Sequence, residues 1–163
     1  MNKIKHMSLV LPMDEDGIWL ACKKAKSFGH GKYNGAGGKY VVPELLISGA
    51  EREMKEEFGI TARQLEKVAE LIFKGPAATD VDRVVHAYFA RGLHFGERLC
   101  DEMGDLQHFP FHEIPYDGMW GTDLSWYVPT LAGLKVKGEY TFNPDETFTI
   151  DRLDFVKDFE RQI

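Results

Sequence analysis

Glu53, Glu56 and Glu57 are spaced so that an α-helix would place their carboxylates on one face. Each helical residue turns by about 100°, and positions i, i+3 and i+4 therefore lie side by side. Carboxylates this close repel one another unless a cation lies among them. Hard cations such as Mg²⁺ take oxygen ligands and commonly bind a substrate phosphate as well. The triplet thus predicts a divalent metal site, with Mg²⁺ as the expected ion and Mn²⁺ as the alternative.

The residues around the triplet follow a longer pattern, which resembles the Nudix box, Gly-x5-Glu-x7-Arg-Glu-aliphatic-x-Glu-Glu-x-Gly-aliphatic. Every defined position is filled, by Gly38, Glu44, Arg52, Glu53, Met54, Glu56, Glu57, Gly59 and Ile60. The alternative is a solvated helix face with ordinary pairs four residues apart, such as Arg52 with Glu56. That alternative explains neither an acidic triplet beside one arginine nor the flanking glycines. The chain is therefore identified as a member of the Nudix family.

The length and charge of the chain limit its architecture and its partners. Its 163 residues predict one domain over residues 1–163, and 44% hydrophobic residues suffice for a core. The net charge of −6 argues against a nucleic-acid polymer as a partner. The negative charge of a small polyanionic substrate would have to be offset by metal ions or by a group of lysines. The alternative is that these lysines belong to a solvated surface loop. The lysines are Lys23, Lys24, Lys26, Lys32 and Lys39.

Two features bear on the location of the protein. Its two cysteines, Cys22 and Cys100, have no paired spacing, which argues against a disulfide framework or a zinc site and fits a reducing cytoplasm. No apolar run approaches membrane-spanning length. We therefore expect a cytoplasmic protein without membrane contact, and no obligatory protein partner is evident.

The helix that carries the glutamates is predicted over residues 45–58, and Gly59 suits the left-handed position that ends a helix. Its apolar stripe consists of Ile47, Ala50, Met54 and Phe58. This stripe lies about 110° from the centre of the acidic face on a helical wheel. The helix is therefore expected to pack on a sheet and to present its carboxylates at the edge of a cleft.

The remaining elements predict an α/β/α sandwich of the α+β class, with a mixed sheet between two helices. A second helix is expected over residues 122–134, kinked or shortened by Pro129. The glycine-rich residues 27–38 are expected to form a loop with at most a brief strand, and they match neither a P-loop nor a dinucleotide fingerprint. Strands are expected over residues 7–12, 18–22, 65–73, 83–89, 104–111, 138–142 and 146–151.

The acidic helix suits the cleavage of a phosphoanhydride bond. Water must attack an anionic phosphorus, and metal ions offset that charge, lower the pKa of bound water and align the attack. We expect Glu53, Glu56 and Glu57 to bind the metal. Arg52 is expected to hold one glutamate by a charged hydrogen bond.

The resemblance to the Nudix family implies two further metal ligands. In that family the glycine just before the box contributes a backbone carbonyl, a role that falls on Gly37. Family members often use another glutamate from a loop that faces the helix, and Glu102 is the best match; its alternative is a plain surface acid. Which glutamate acts as general base varies across the family and stays open. The candidate catalytic residues are Arg52, Glu53, Glu56, Glu57 and Glu102.

Outside the box, the chain resembles the branch of the family that hydrolyses oxidised purine nucleoside triphosphates. The likeness is clearest in residues 23–24, 28–39, 102–103 and 114–120. In that branch an asparagine and an acid hydrogen-bond the purine edge, while a tryptophan and a phenylalanine sandwich the ring. The matching positions and their expected neighbours in the pocket are Ser8, Lys23, Phe28, Asn34, Phe73, Trp120, Thr122 and Asp123.

The chemistry of these side chains suits a guanine base. A carboxylate such as Asp123 accepts from N1–H and the exocyclic amine together, and an amide such as Asn34 both donates and accepts. Stacking on Trp120 and Phe28 would contribute about 1–3 kcal/mol for any base. The structural alternatives are core aromatics for Trp120 and Phe28 and a turn residue for Asn34.

One position departs from the pattern of this branch. Its members carry two adjacent acids after Met-Trp-Pro, whereas this chain has Thr122 in the first acid position, before Asp123. Two neighbouring carboxyl groups can share a proton and so adapt to different base edges. We therefore expect a narrower range, with oxidised guanine nucleotides accepted and oxidised adenine nucleotides weaker.

These observations favour one hypothesis over two others. The leading one is a Mg²⁺-dependent pyrophosphatase that converts an oxidised purine nucleoside triphosphate, such as 8-oxo-dGTP, to the monophosphate and pyrophosphate and so cleanses the nucleotide pool. A second keeps the chemistry and changes the small-molecule substrate to ADP-ribose, a nucleotide sugar or another nucleoside diphosphate derivative. A third is a non-catalytic nucleotide-binding module, which the complete acidic set argues against.

Overall fold

The computed structural model describes residues 3–24, 29–75, 81–145 and 147–159. Within these ranges the chain forms nine β-strands and two α-helices. The strands are β1 (Lys3–Pro12), β2 (Gly17–Cys22), β3 (Tyr33–Asn34), β4 (Ala36–Lys39), β5 (Ile60–Lys74), β6 (Val81–Phe95), β7 (Gln107–Pro110), β8 (Lys135–Phe142) and β9 (Phe148–Val156). The helices are α1 (Leu46–Phe58) and α2 (Asp123–Leu131). Neither of these described helices has the length and the apolar character needed to cross a membrane.

The strands form one large mixed sheet and one small sheet. The large sheet has the order β4-β1-β6-β5-β8-β9, in which β1 pairs with β6 and β5 pairs with β8 in parallel, while the other neighbours are antiparallel. The small sheet has the order β3-β2-β7 and is antiparallel. The mixed sheet confirms the prediction. Strands were predicted over residues 18–22 and 104–111, where β2 and β7 lie, but their pairing in a separate small sheet was not predicted, because alternation along a strand does not identify its partner.

Alternate residues of the strands supply two separate cores, one under each helix. On β6, Ala87 and Phe89 lie in a buried cluster with Trp126 of α2. Tyr88, between them, lies in a second cluster with Met54 of α1. Successive side chains of a strand point to opposite faces of a sheet, so the two helices cover opposite faces. The predicted α/β/α sandwich is therefore confirmed.

Several strands are longer than the sequence predicted. β5 and β6 each span 15 residues, whereas strands were predicted over residues 65–73 and 83–89 only. The added residues 60–64 and 91–95 are mostly exposed, so they lack the apolar alternation of a half-buried strand and are ordered by pairing with each other. β8 likewise begins before the predicted residues 138–142, and β9 covers residues 148–156 rather than 146–151.

The prediction of residues 27–38 as loop is wrong for their last part. β4 pairs with β1 there, with Gly37 opposite Leu9. A Cβ atom at Gly37 would lie 2.1 Å from the carbonyl oxygen of Ser8, and the glycine therefore permits the strand rather than breaking it. The second helix ends at Leu131 rather than at residue 134, since the chain turns at Gly133 with a φ of +94°.

α1 packs its apolar side on β1, β4 and β5. Three members of the predicted stripe, Ala50, Met54 and Phe58, are buried in one cluster. Ile47 was predicted to join them but is 39% exposed, because the buried face of the helix begins only at Gly49. The helix is thus anchored mainly along its C-terminal part.

Gly59 ends α1 in the left-handed conformation, as predicted. Its φ is +68°, and its N–H donates to the carbonyl oxygen of Lys55 at 3.0 Å. A Cβ atom at this position would lie 2.5 Å from the carbonyl oxygen of Gly96. Both the backbone conformation and the surrounding space therefore require glycine.

We expect Gly59→Ala to lower the free energy of unfolding by more than Gly133→Ala does. Both glycines have positive φ, so alanine strains the backbone by about 1–2 kcal/mol at either position. A new Cβ at Gly133 meets no described atom within 4 Å, whereas at Gly59 it meets a carbonyl oxygen. Urea denaturation followed by circular dichroism measures both variants. Equal losses would contradict the steric part of the argument.

Candidate active site

The guanidinium group of Arg52 lies at the centre of the acidic face of α1. Its Nε and Nη2 atoms donate to the two carboxylate oxygens of Glu44 at 3.1 and 2.9 Å. Its Nη1 atom donates to Glu53 Oε1 at 3.0 Å and to Glu56 Oε2 at 3.2 Å. A further hydrogen bond of 3.3 Å joins Nη2 to the carbonyl oxygen of Lys39. One cation therefore contacts three carboxylates, and its hydrogen bonds hold the pKa of Glu44 below the ordinary value.

Glu44 connects the start of α1 to this network. The helix begins without a side-chain N-cap, and Glu44 Oε1 instead accepts from the N–H of Val41 at 3.0 Å. A bidentate arginine–carboxylate pair has a fixed geometry, so Glu44 orients the guanidinium toward the helix glutamates. From the sequence, Glu44 was a box residue without an assigned role, and Arg52 was predicted to hold one glutamate. The structure brings three glutamates to Arg52.

Glu57 lies apart from Arg52, on the buried side of α1. The residue is 5% exposed, and its Oε1 accepts a hydrogen bond of 2.8 Å from the N–H of Gly37. Burial, together with the negative charges of Glu53 and Glu102, raises the pKa of Glu57 to about 7. Burial also raises the pKa of Glu53, against the opposing effect of Arg52. A buried carboxylate with acidic neighbours is stabilised in its charged form by a cation.

Two glycines bring the main chain of β4 against these side chains. Gly37 donates to Glu57, and a Cβ atom at Gly38 would lie 2.5 Å from Glu53 Oε1. A side chain at Gly38 would displace the Glu53 carboxylate, and without one the backbone of β4 reaches the acidic face directly. The metal-binding carbonyl of Gly37 stays a prediction.

The donor set of this face suits a hard divalent cation, because carboxylate oxygens dominate it. Glu102 borders the same cavity as Glu57, and its charge raises the pKa of both Glu53 and Glu57. In the part of the chain that the structure describes, no three acidic, histidine or cysteine side chains converge closely enough to hold a metal ion as they stand. Glu53 and Glu56 are turned toward Arg52 instead. The metal-binding roles of the four glutamates stay predictions.

A cavity of about 280 Å³ opens beside the acidic face. It is bordered by residues of the predicted metal site and by the predicted base-binding residues together. They are Ser8, Lys23, Asn34, Gly37, Phe73, Glu57, Glu102, Trp120, Thr122 and Asp123. Phe28, predicted to stack on the base, lies outside the described residues. Every other predicted substrate-binding residue therefore borders this one cavity.

Asp123, at the start of α2, is a buried acid in the wall of this cavity. It is 5% exposed, its Oδ1 accepts from Trp126 Nε1 at 3.2 Å, and its Oδ2 accepts from the N–H of Trp120 at 3.2 Å. Burial raises the pKa of Asp123 to about 7, despite these hydrogen bonds and the positive charge of Lys32. The carboxyl group is therefore held in one orientation and titrates near neutral pH.

Aromatic rings surround the polar groups of the cavity. The Nζ atom of Lys32 lies 5.1 Å from the centre of the Trp120 ring, and Phe148 meets that ring edge-on at 6.1 Å. Phe73 stacks on Tyr140, with ring centres 5.1 Å apart and planes 15° apart. Trp120 is only half-buried, which does not fit the alternative of a core aromatic.

The smaller polar residues of the cavity differ in how they are engaged. Asn34 belongs to β3, and its Oδ1 accepts from the N–H of Gly35 at 2.9 Å. Among the described residues, none accepts a hydrogen bond from its NH₂ group. Thr122, which stands where the family branch has an acid, is 2% exposed. The amide of Asn34 therefore keeps its donors for a ligand.

Two of the five grouped lysines, Lys23 and Lys32, border the cavity. Lys24 pairs instead with the exposed Asp101 at 2.8 Å, and Lys39 is exposed. Lys26 lies outside the described residues. The expected positive charge near the glycine-rich segment is thus present at the cavity, although not from the whole group.

The structure adds residues that the sequence analysis missed or left without a role. Trp126 holds Asp123, Lys32 contacts Trp120, and Phe142 and Phe148 border the cavity. Lys32 carried a sequence signal as one of the grouped lysines. The three aromatic residues carried none, because their contact with the cavity depends on how α2, β8 and β9 pack against distant parts of the chain.

The fold and the acidic helix are those of a family with a defined sequence model. The model described as NUDIX domain matches residues 5–131, and the chain therefore belongs to the Nudix family. It is a Nudix hydrolase, and such enzymes generally use divalent metal ions.

Relatives cover nearly the whole chain. An oxidized purine nucleoside triphosphate hydrolase of Danio rerio is 32% identical over 154 residues, which are 94% of this chain and 97% of that protein. A protein of the same name from Mus musculus is 31% identical over 147 residues, which are 90% of this chain and 92% of that protein. A solved MutT protein structure from Bacillus halodurans has a TM-score of 0.74 at 17% identity and covers 94% of this chain and 99% of its own. This last likeness shows the fold alone.

We expect Glu57→Gln to stabilise the metal-free protein at about pH 8 and to leave it unchanged at about pH 4. The pKa of Glu57 is about 7 in the folded chain, above the ordinary value of 4.5. Between these values the folded state keeps a proton that the unfolded state has released, so the free energy of unfolding of the wild type falls as pH rises. Above pH 7 the difference reaches on the order of 1–3 kcal/mol.

Urea denaturation in the presence of EDTA, across this pH range, measures the effect. Glu51→Gln changes an exposed glutamate on the same helix and serves as the control. A stability difference between Glu57→Gln and the wild type that does not depend on pH would contradict the prediction.

Proposed function

We propose that the protein hydrolyses oxidised purine nucleoside triphosphates, such as 8-oxo-dGTP, to the monophosphate and pyrophosphate, and so cleanses the nucleotide pool. The observation that carries the proposal is one cavity that borders Asn34 and Asp123 as well as Gly37 and Glu57. A purine held by the first pair would extend its phosphates toward the second pair. The two relatives named as oxidised purine nucleoside triphosphate hydrolases support the same substrate class.

Mg²⁺ is the proposed cofactor, with Mn²⁺ as a substitute. The groups that would hold it are the carboxylates of Glu53, Glu56, Glu57 and Glu102 and the backbone carbonyl of Gly37. When bound, the ion offsets the charge of the phosphates and lowers the pKa of bound water. The general base among these glutamates stays open.

Charged residues beside the glutamates complete the phosphate end of the site. Arg52, fixed by Glu44, orients Glu53 and Glu56 and limits their repulsion. Lys23 borders the cavity, and its charge acts to lower the pKa of Glu57. It is therefore close enough to offset part of the charge of a bound triphosphate.

Asp123 and Asn34 are proposed to recognise the base by hydrogen bonds to its edge. Each oxygen of Asp123 accepts one hydrogen bond within the protein, which leaves each a lone pair for N1–H and the exocyclic amine of a guanine base. The NH₂ group of Asn34 can donate to a carbonyl oxygen of the base. Stacking on Trp120 adds about 1–3 kcal/mol without base choice.

We further propose that the chain works as one domain on free nucleotides in the cytoplasm, with neither a nucleic-acid polymer nor a membrane as partner. The net charge of −6 disfavours binding to a phosphate backbone. Both cysteines, Cys22 and Cys100, are free thiols, which suits a reducing compartment.

We expect formation of the nucleoside monophosphate with Mg²⁺ to be faster from 8-oxo-dGTP than from dGTP, 2-oxo-dATP or ADP-ribose. The preference for a guanine base rests on the carboxylate of Asp123, and that for the oxidised form rests on the named relatives. Steady-state assays of the four compounds side by side measure it. Glu56→Gln is expected to lower kcat at least about tenfold and to spare binding of 8-oxo-dGTP, because it removes a charged ligand at constant size.

Glu51→Gln, on the exposed face of the same helix, is the matched control and is expected to behave as the wild type. Activity mainly on ADP-ribose, or equal weak activity on all four compounds, would be compatible with the proposed role of the acidic helix but would refute the proposed base pocket. Lack of metal-dependent turnover on any nucleoside diphosphate derivative would favour the non-catalytic binding module.

We expect Thr122→Asp to raise activity on 2-oxo-dATP relative to 8-oxo-dGTP by about tenfold, the equivalent of one hydrogen bond. The new acid would lie next to Asp123 in a buried position, where the two carboxyl groups can share a proton and adapt to another base edge. Thr122→Asn has the same shape as the aspartate but does not titrate, and it is expected to lack the effect. Comparable wild-type efficiency on the two substrates would refute the narrow range.

A further inference from the structure

The loop that carries Glu102 is attached to the last turn of α1. It runs through residues 96–104, and the N–H groups of Leu99 and Cys100 donate to the carbonyl oxygen of Glu56 at 3.0 and 3.2 Å. Carbonyl groups in the last turn of a helix have no partner within the helix, so this loop completes the end of α1. The loop and the acidic helix therefore form one hydrogen-bonded unit.

Arg98 closes this loop from within. Its Nη1 atom donates to the carbonyl oxygen of Met103 at 2.9 Å, and its Nη2 atom donates to that of Gly104 at 2.6 Å. These two carbonyls follow Glu102 directly in the chain. The fixed fork of a guanidinium group suits such a pair of acceptors, and the charge strengthens both hydrogen bonds.

The side chain of Glu102 has no comparable attachment. It is exposed, and within the described ranges no hydrogen bond or ion pair reaches its carboxylate. Its place is set by the main chain, where Lys24 N–H donates to the Glu102 carbonyl at 3.0 Å and Gly104 N–H donates to the Cys22 carbonyl at 2.7 Å. Anything that fixes this stretch of main chain therefore limits the region that the carboxylate can reach.

We propose that Arg98 is a positioning residue that holds Glu102 within reach of the acidic face of α1. Arg98 acts only through the carbonyl groups of Met103 and Gly104. The inference rests on the proposed role of Glu102 as a metal ligand. Without Arg98 the stretch around Glu102 would be held by its main-chain hydrogen bonds alone, and more of it would have to be ordered on each binding event, at a cost in conformational entropy.

The first part of the test needs no metal. Arg98→Gln removes both charged hydrogen bonds and is expected to speed amide hydrogen exchange at residues 99–104, with the sheet unchanged. Arg98→Lys keeps the charge and can reach a carbonyl, so it is expected to restore part of the protection. If Arg98→Gln does not fold, Arg98→Lys takes its place in the exchange measurement. Asp101→Asn removes the exposed pair with Lys24 and a weak attraction to Arg98 but leaves both carbonyl hydrogen bonds of Arg98 in place. It is the matched control and is expected to exchange as the wild type does.

The second part is a double-mutant cycle on Mn²⁺ binding, followed by electron paramagnetic resonance without nucleotide. Arg98→Gln and Glu102→Gln are each expected to weaken binding about tenfold. The double variant is expected to bind no more weakly than Glu102→Gln alone, because Arg98 acts through Glu102. Arg98→Lys is expected to lie between Arg98→Gln and the wild type.

The outcomes separate this inference from the proposed function. The role of Arg98 is overturned, and the metal site stands, if Glu102→Gln weakens Mn²⁺ binding but Arg98→Gln does not. The same holds if the loss of Mn²⁺ affinity in the double variant is the product of the losses in the two single variants. Unchanged hydrogen exchange at residues 99–104 in Arg98→Gln also overturns it. If Glu102→Gln binds Mn²⁺ as the wild type does, Glu102 leaves the proposed metal site and the inference falls with it.

Discussion

The charge balance around Arg52 determines how the acidic helix meets the rest of the molecule. The guanidinium contacts Glu44, Glu53 and Glu56, and it also donates to the carbonyl oxygen of Lys39 at the end of β4. Without this cation, carboxylates would face one another along one helix edge, where like charges destabilise a helix. Because Glu44 precedes the helix and Lys39 ends β4, the same group also joins α1 to two segments that come before it in the chain.

The cavity contains two buried acids whose surroundings differ in kind. Glu57 receives one hydrogen bond, from Gly37, and has negative neighbours, so its carboxylate needs positive charge. Asp123 instead receives two hydrogen bonds and the field of Lys32, which oppose the effect of burial but do not cancel it, so its pKa is also raised, to about 7. One part of the cavity therefore suits a cation and the phosphates it accompanies. The other suits the hydrogen-bond donors of a base, and a nucleotide has both groups in one molecule.

The acidic helix was predictable from the sequence because its signal is local. The spacing of the glutamates and the glycine at position 59 fix a face and an end of the helix without reference to the rest of the chain. The predicted α/β/α sandwich was also correct, because successive side chains of the central strands alternate between the two faces of the sheet and so indicate which residues face each helix. Strand ends were not predictable, because exposed residues at the ends of β5 and β6 are ordered by distant partners.

Parts of the site escaped the sequence for a related reason. Trp126 and Asp123 lie three residues apart in α2, but their position beside the cavity depends on how α2 packs against the sheet. Arg98 stands in a polar stretch, and its partners are main-chain carbonyl groups, which leave no signature in the residue types around it. The identities of Asn34 and Asp123 pointed to a base pocket through resemblance. The hydrogen bonds that orient them are visible only in the three-dimensional structure.

Two of the three tryptophans of the chain border the substrate cavity. The indole ring of Trp120 faces a lysine cation, and that of Trp126 donates to a buried carboxyl group. Trp19 lies elsewhere, between Phe95 and His108. Indole emission responds to nearby charge, polarity and stacked rings, so a purine that entered the cavity would change the light emitted by two residues and spare the third. The protein thus contains its own optical reporter of nucleotide binding, and no added label is needed to follow it.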